Sequence, residues 1–329
     1  MEKAGINLEK LNIGIVGLGW WGPKLLRNFQ NHPSVNKIYG YDISNEAINK
    51  ALNVGLNFEP TTSYDNLLDN KISSLVIATP PKTHFELAKS ALDRGKNVLI
   101  TKPPSETKTE IDMLARLVKK KGLTFMVDAT YVFNPALVTV HSILHKNKIN
   151  NLKSIRILRS GDELRREHIN RLRNTMFTNN INIVQDLIFH DISILIYLFN
   201  NELEIEYIKK FNNIHNSISD SAIIILKIKT IPIIIEYSWI FPERRREYQF
   251  YYDDKLLIFD DVSPDEKIWK FSYEDKKKHS YNYEHSEPLY CEVDHFISCI
   301  KGRTEPKTGI NFMKKVMTIM EKTEHYKEP

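Results

Sequence analysis

Four short stretches of this chain carry residues able to hold a dinucleotide or move a proton. In the first, Ile13-Gly14-Ile15-Val16 runs into Gly17-Leu18-Gly19-Trp20-Trp21-Gly22, and a breaker-free segment follows Pro23. A β-branched run, G-x-G-x-x-G and a helix is the context a dinucleotide fingerprint needs. Gly17 permits the tight turn, Gly19 lets backbone approach a pyrophosphate, and Gly22 lets helix and strand pack closely. Leu18, Trp20 and Trp21 complete the loop, and the helix start offers N–H groups to phosphate. Asp42 stands 20 residues past Gly22, where an acid accepts from the adenosine ribose. In the second stretch, Val76-Ile77-Ala78 ends in Thr79-Pro80-Pro81 before Thr83-His84. That puts Thr79, Pro80 and His84 at the carboxyl end of a parallel strand, beside the cofactor. The third is Asn97–Pro104, whose Lys102 stands where a substrate would meet a nicotinamide. The fourth holds Asp186 and His190, four apart on one helix face and able to point into one cleft. Such a pair can equally be a helix-stabilising contact.

Regular alternation must position the first three stretches. Strands are expected at 12–17, 36–42, 73–78, 97–101 and 123–127, and helices near 21–31, 45–53, 83–95 and 108–121. Right-handed βαβ crossovers then give a doubly wound parallel sheet, a Rossmann domain over residues 1–130. From 131 to 329 the texture becomes α+β. Strands are expected at 154–159, 204–211, 221–229, 232–239, 248–252 and 255–259, and helices at 185–199, 287–301 and 310–324. The reading there is a mostly antiparallel open sheet, with hairpin turns at 229–232 and 252–255.

Composition excludes several classes. The 329 residues are 42% hydrophobic and 26% charged, ordinary for a globular chain of two domains. The greasiest stretch, 222–237, is broken by Lys227, Lys229 and Pro232 and cannot span a bilayer. Met1–Gly5 has no apolar run of the signal-peptide kind. Cys291 and Cys299 sit eight apart on one helix, too far to bridge, so a cytoplasmic, reduced protein is expected. The charge of +5 is mild and its Lys/Arg runs are scattered; it suits an anionic small molecule, with no nucleic-acid or membrane partner. No metal is expected.

Taken together, these segments resemble the Gfo/Idh/MocA oxidoreductases, the glucose-fructose oxidoreductase and inositol dehydrogenase family. The resemblance also rests on Asn134-Pro135-Ala136, Ser238-Trp239 and Glu287-Pro288-Leu289 ahead of Glu292 and His295-Phe296. Gly17–Pro23 with Arg27-Asn28-Phe29 is most similar to the nucleotide-sugar branch, which includes UDP-N-acetylglucosamine and UDP-N-acetylglucosaminuronate 3-dehydrogenases. The resemblance implies a catalytic Lys102 from a Glu-Lys-Pro segment and an Asp-x-x-x-His pair in Asp186 and His190, with Asn134 as a further substrate contact. Two positions depart from the family pattern: Thr101 replaces the glutamate before Lys102, and Asn182-Ile183-Val184-Gln185 stands where glycines often precede the aspartate.

The implied reaction is hydride transfer between a sugar carbinol and nicotinamide, with His190 as base and Lys102 steadying the alkoxide. The roles of these two could be exchanged. NAD is expected over NADP, because Asp42 would face a 2′-phosphate without a compensating arginine. Alternatives are a free-polyol or inositol dehydrogenase and a non-catalytic dinucleotide-binding sensor. A homodimer or homotetramer is expected, since too few helices follow the second sheet to cover both faces.

Overall fold

A computed structural model describes residues 10–146, 151–161, 181–213 and 218–327; Met1–Gly5, read above for an export signal, lies outside them. The chain divides into two compact units, Met1–Phe133 with Ser286–Lys314, and Asn134–His285 with Lys315–Pro329.

The first unit is built on six strands: β1 (Leu11–Val16), β2 (Val35–Tyr41), β3 (Glu59–Pro60), β4 (Ser74–Ile77), β5 (Asn97–Ile100) and β6 (Phe125–Val127). They pair in the order β3-β2-β1-β4-β5-β6, every pair parallel. This is a doubly wound sheet whose order reverses between β1 and β4, where ligands bind beyond the strands' carboxyl ends. Both faces are covered, so Ile13, Ile15, Leu75, Val76 and Ile77 are all fully buried.

The helices are α1 (Gly22–Gln30), α2 (Asn45–Asn53), α3 (His84–Asp93) and α4 (Lys108–Lys121). Ser44 caps α2 by accepting from Ala47 N–H, Thr107 and Glu110 form a capping box on α4, and left-handed Gly122 ends it. The boundary expected at 130/131 falls at 133/134, and the tail reading needs correction. Ser286–Lys314 belongs to the first unit because α7 (Pro288–Ile300) packs on α1, with Phe296 edge-on to Phe29 at 6.3 Å.

The second unit pairs eight strands in the order β14-β13-β12-β11-β7-β10-β9-β8. They are β7 (Leu152–Ser160), β8 (Glu204–Phe211), β9 (Ser221–Ile228), β10 (Ile231–Ser238), β11 (Arg245–Tyr252), β12 (Lys255–Asp260), β13 (Ile268–Ser272) and β14 (Lys278–Ser280). β7 and β10 are its parallel pair, and the others run antiparallel. The first turn is tighter than expected: Lys229-Thr230 suffice, with Lys229 at φ 55°, and Pro232 lies inside β10. Pro232 is tolerated because β10 pairs with β7 only from Ile233 onward.

Alternation sorts this sheet's faces. Ala222, Ile224, Leu226 and Ile228 are buried, whereas Ile223 is 39% exposed. The buried face carries α6 (Ile183–Phe199), packed on β9 and β10, and α5 (Pro135–Lys146) against β12. Helix α5 was not expected. It starts where Pro135 sits in the first turn and the Asn134 side-chain Oδ1 accepts from Ala136 N–H. The last helix, α8 (Ile310–Glu324), contains the second unit boundary.

Candidate dinucleotide site and reactive side chains

The three fingerprint glycines have three different surroundings. Gly17 has φ 92°, and a Cβ there would lie 2.5 Å from the Ala78 carbonyl oxygen at the end of β4. At Gly22 a Cβ would come within 1.9 Å of the Gly17 carbonyl oxygen, so α1 starts directly on the turn. Gly19 has nothing within 4 Å of its hypothetical Cβ. The loop is therefore closed on its protein side and open at its tip, where a phosphate needs room.

Helix α1 meets that opening without a cap of its own. Trp21 makes no side-chain cap bond, Pro23 occupies the first turn, and no acidic residue is there. Lys24 instead sits in the first turn, 4.2 Å from the Trp20 ring centre and 4.6 Å from that of Trp21. A cation at a helix N-terminus opposes the helix dipole, and a bound anion would reverse that penalty. Partial burial, with Arg27 nearby, holds the Lys24 pKa below its usual value.

Asp42, at the end of β2, accepts from Leu18 N–H at 2.6 Å and from Ser44 N–H at 2.8 Å. One carboxylate thus ties the glycine loop to the start of α2 and keeps a negative charge beside both. At the end of β4 the Thr79 and Thr83 hydroxyls meet at 2.7 Å, and Pro80 is exposed.

His84 differs from the expectation of a cofactor contact. It is fully buried, with Nδ1 2.7 Å from the Pro103 carbonyl oxygen and Nε2 2.8 Å from that of Thr79. Burial lowers its pKa, against the pull of the two carbonyls. The ring is a strut between the β4 end and the loop after β5. Thr101, in the position of the family's glutamate, lies 3.3 Å from His84 Nε2 and so joins the same strut. Lys102 follows, half-buried, ahead of a cis peptide to Pro103.

Asp186, His190 and Asn134 belong to the second unit. Asn182 accepts from the N–H groups of Val184 and Gln185, while Gln185 accepts from Asn182 N–H. The segment that departs from the glycine pattern is thus a capping box that fixes the first turn of α6. Asp186 and His190, both half-buried, lie one turn apart behind that cap, with His190 edge-on to Phe189. The residue after His190 anchors the helix. Asp191 is fully buried and accepts from Arg159 Nε at 3.1 Å, from Tyr237 OH at 2.6 Å and from Tyr248 OH. Burial and Asp191 together push both phenol pKa values well up. Removing one partner of such a buried pair costs about 3–5 kcal/mol. Asn134 differs from its expected substrate role: it is buried, its side-chain Oδ1 accepts from Ala136 N–H at the start of α5, and its Nδ2 donates to Asp261 at 2.6 Å.

The comparisons agree with this geometry. The Gfo/Idh/MocA family model (oxidoreductase family, NAD-binding Rossmann fold) matches residues 11–129. Residues 11–129 belong to that family. An uncharacterized oxidoreductase of Synechocystis is 27% identical over 151 residues, 45% of this chain and 40% of the relative; in sequence, the chain thus aligns with well under two thirds of such a relative. The fold extends further. UDP-N-acetylglucosamine 3-dehydrogenase from Acidithiobacillus ferrooxidans superposes with a TM-score of 0.79 over 95% of this chain and 96% of that one, at 16% identity. A 3-ketoreductase variant from Actinomadura kijaniata, solved with TDP-benzene and NADP, gives 0.76 over 95% and 96%, at 12% identity. The whole chain therefore shares the two-domain fold of these structures, and a nicotinamide dinucleotide is the cofactor that the family model over residues 11–129 implies.

Two acidic residues near the loop were given no role by the sequence. Asp128, the residue after β6, accepts from the Trp21 indole, and Glu292 of α7 accepts from Ala129 N–H at 3.0 Å. The signal was available for Asp128, since it follows a parallel strand at its carboxyl end as Thr79 and Lys102 do. Among the described residues no three His, Cys, Asp or Glu side chains group to hold a metal, and no helix is long and apolar enough to cross a membrane.

Proposed function

We propose that this protein is an NAD-dependent dehydrogenase acting on a carbinol of a sugar, in the first instance C3 of a nucleotide-linked sugar. The observation that carries the reading is the open tip at Gly19 in front of an uncapped α1, with Asp42 fixed beside it. Those residues fit the pyrophosphate and ribose of a dinucleotide, and the Asp42 charge disfavours a 2′-phosphate. Bound there, the nicotinamide would accept the hydride.

The chain's own residues supply the rest. His190 takes the hydroxyl proton, because an imidazole titrates near neutral pH. Lys102 donates to the same oxygen and stabilises its developing negative charge. Asp186 orients one of these groups or a neighbouring hydroxyl. The capping box and the Asp191 anchor keep α6 from rotating while the proton moves. The protein works in the cytoplasm as a homodimer or homotetramer.

A thermal-shift panel with NAD, NADP, UDP-sugars and free polyols, followed by reduced-nicotinamide absorbance, tests the reading. A ligand that binds only the folded state raises the melting temperature by mass action. NAD should shift it more than NADP, and a UDP-sugar should yield turnover. No shift with either dinucleotide sinks the proposal. Dinucleotide binding without turnover on any sugar or polyol would favour the sensor.

A further inference from the structure

A pair of buried carboxyl groups stands directly behind the glycine-rich loop. Glu292 is fully buried and Asp128 is 6% exposed. Glu292 Oε1 accepts from Ala129 N–H at 3.0 Å. Glu292 Oε2 and Asp128 Oδ1 both face the Thr130 hydroxyl, at 3.1 and 2.6 Å. The other Asp128 oxygen accepts from the Trp21 indole N–H, so two buried carboxyl groups converge on one hydroxyl.

Proton counting decides what this arrangement requires. Thr130 has one hydroxyl proton and can donate it to one of the two oxygens. The second carboxyl oxygen at that hydroxyl needs another proton, and neither indole nor amide supplies it. One of the two acids must therefore be protonated for the cluster to close. Among the described residues, Asp128 is the charged group that acts on Glu292, and no cation there favours two negative charges. Of the other elements packed on α7, α1 gives Arg27 to Glu287, and His32, just beyond its end, goes to Asp294. On α7 itself His295 accepts from Lys307 N–H.

We propose that Glu292 is a positioning residue for the dinucleotide loop: as a carboxylic acid it donates to Asp128, which as carboxylate holds the Trp21 indole and with it the Gly19–Trp21 segment. Loss of the shared proton at alkaline pH sets two negative charges against each other and releases that segment. The proposal rests on the dinucleotide reading for its consequence, but the shared proton can be measured without any ligand. Burial and the neighbouring Asp128 both push the Glu292 pKa well up, in keeping with the geometry. The sign follows: a raised folded-state pKa gives stability that is complete below the unfolded carboxyl range and is lost as pH rises through the folded value.

The experiment is a melting curve of the ligand-free protein from pH 5 to 9, for the native chain, Glu292→Gln and Asp128→Asn. Glutamine keeps the Ala129 contact and donates to Asp128 without a titrating proton, and asparagine supplies the missing donor from the other side. Each variant should gain on the native protein as pH rises, by roughly tenfold in folding constant per unit above the unfolded carboxyl pKa, until the native proton is lost. A second readout is NAD affinity at pH 6.5 and 9. The native protein should weaken several-fold across that interval and Glu292→Gln should not. If both variants track the native pH profile in parallel, or both fall below it at pH 8 to 9, the shared proton is refuted. If the melting profiles diverge as expected while no dinucleotide binds at any pH, the proton stands and the dinucleotide reading fails.

Discussion

Alanine at each of the three fingerprint glycines should fail in a different way, and the distances say how. At Gly22 the new methyl would lie 1.9 Å from the Gly17 carbonyl oxygen, against the 3.4 Å of ordinary contact, so α1 must retreat by about 1.5 Å. Overpacking against backbone costs about 1–3 kcal/mol, and about 2–4 °C in melting temperature follows from each kcal/mol in a domain of this size. At Gly17 the backbone clash of 2.5 Å adds to a φ of 92° that alanine resists, a strain of about 1–3 kcal/mol. Gly19 has neither problem: the space is empty and its φ is not in the left-handed range. Gly19→Ala should melt at or slightly above the native temperature, because alanine restricts the unfolded chain by about 0.4–1 kcal/mol. Its methyl nevertheless fills the opening where the pyrophosphate needs backbone. NAD affinity should fall by at least about tenfold, equivalent to about 1.4 kcal/mol. Calorimetric melting and NAD titration on the same samples check this. Native NAD affinity in a folded Gly19→Ala protein would refute the cradle; a marked loss of melting temperature would refute the empty space.

Lys102→Ala and His190→Ala should each cut turnover by roughly 10²-fold or more, with Asp186→Asn between them and native, and with little change in NAD affinity. The losses should be non-additive, and full activity in a folded His190→Ala protein would end its assignment as base. Asp42→Ala should weaken NAD and narrow the NAD-over-NADP preference; equal native affinities would count against that role. Mass measurement at micromolar concentration should give a dimer or tetramer, because Phe211, Ile223 and Ile234 are each 38–39% exposed. A clean monomer would remove that expectation.

The first unit was legible because its signals are local. A parallel sheet covered on both faces needs near-continuous apolar strands, and Ile13–Val16, Leu75–Ile77 and Val98–Ile100 are such runs. Glycines at forced positions mark the turn between strand and helix, so element ends fell within one or two residues of expectation. Two features of this unit were not legible: β3, only two residues long, and the return of 286–314, which depends on Phe296 meeting Phe29 and on Glu292 meeting Ala129, contacts more than 160 residues apart. In the second unit β9 and β10 were readable from their isoleucines, whereas β13, five residues with one fully buried side chain, has little apolar alternation to detect.

The site residues divide along the same line. Positions whose work is done by backbone, the loop glycines and the strand ends, can be read from spacing, because the geometry is imposed by φ angles and Cβ room. Positions whose work depends on which side chain points where cannot. His84 and Asn134 have the residue types of ligand contacts, yet both spend their polar atoms on carbonyls, caps and a carboxylate of the fold. Asp128, Asp191 and Glu292 drew no role from the reading, and each is a buried acid whose partners come from distant segments. A buried acid is costly unless several donors converge on it or a proton stays with it. Asp191 meets the first condition with Arg159 and two tyrosines, and Glu292 with Asp128 meets the second. These two clusters hold neighbouring segments in place: Asp191 fixes the helix of His190, and Asp128 fixes the loop at Gly19. The segments proposed to meet substrate and cofactor are thus placed by buried acids whose partners come from distant parts of the fold.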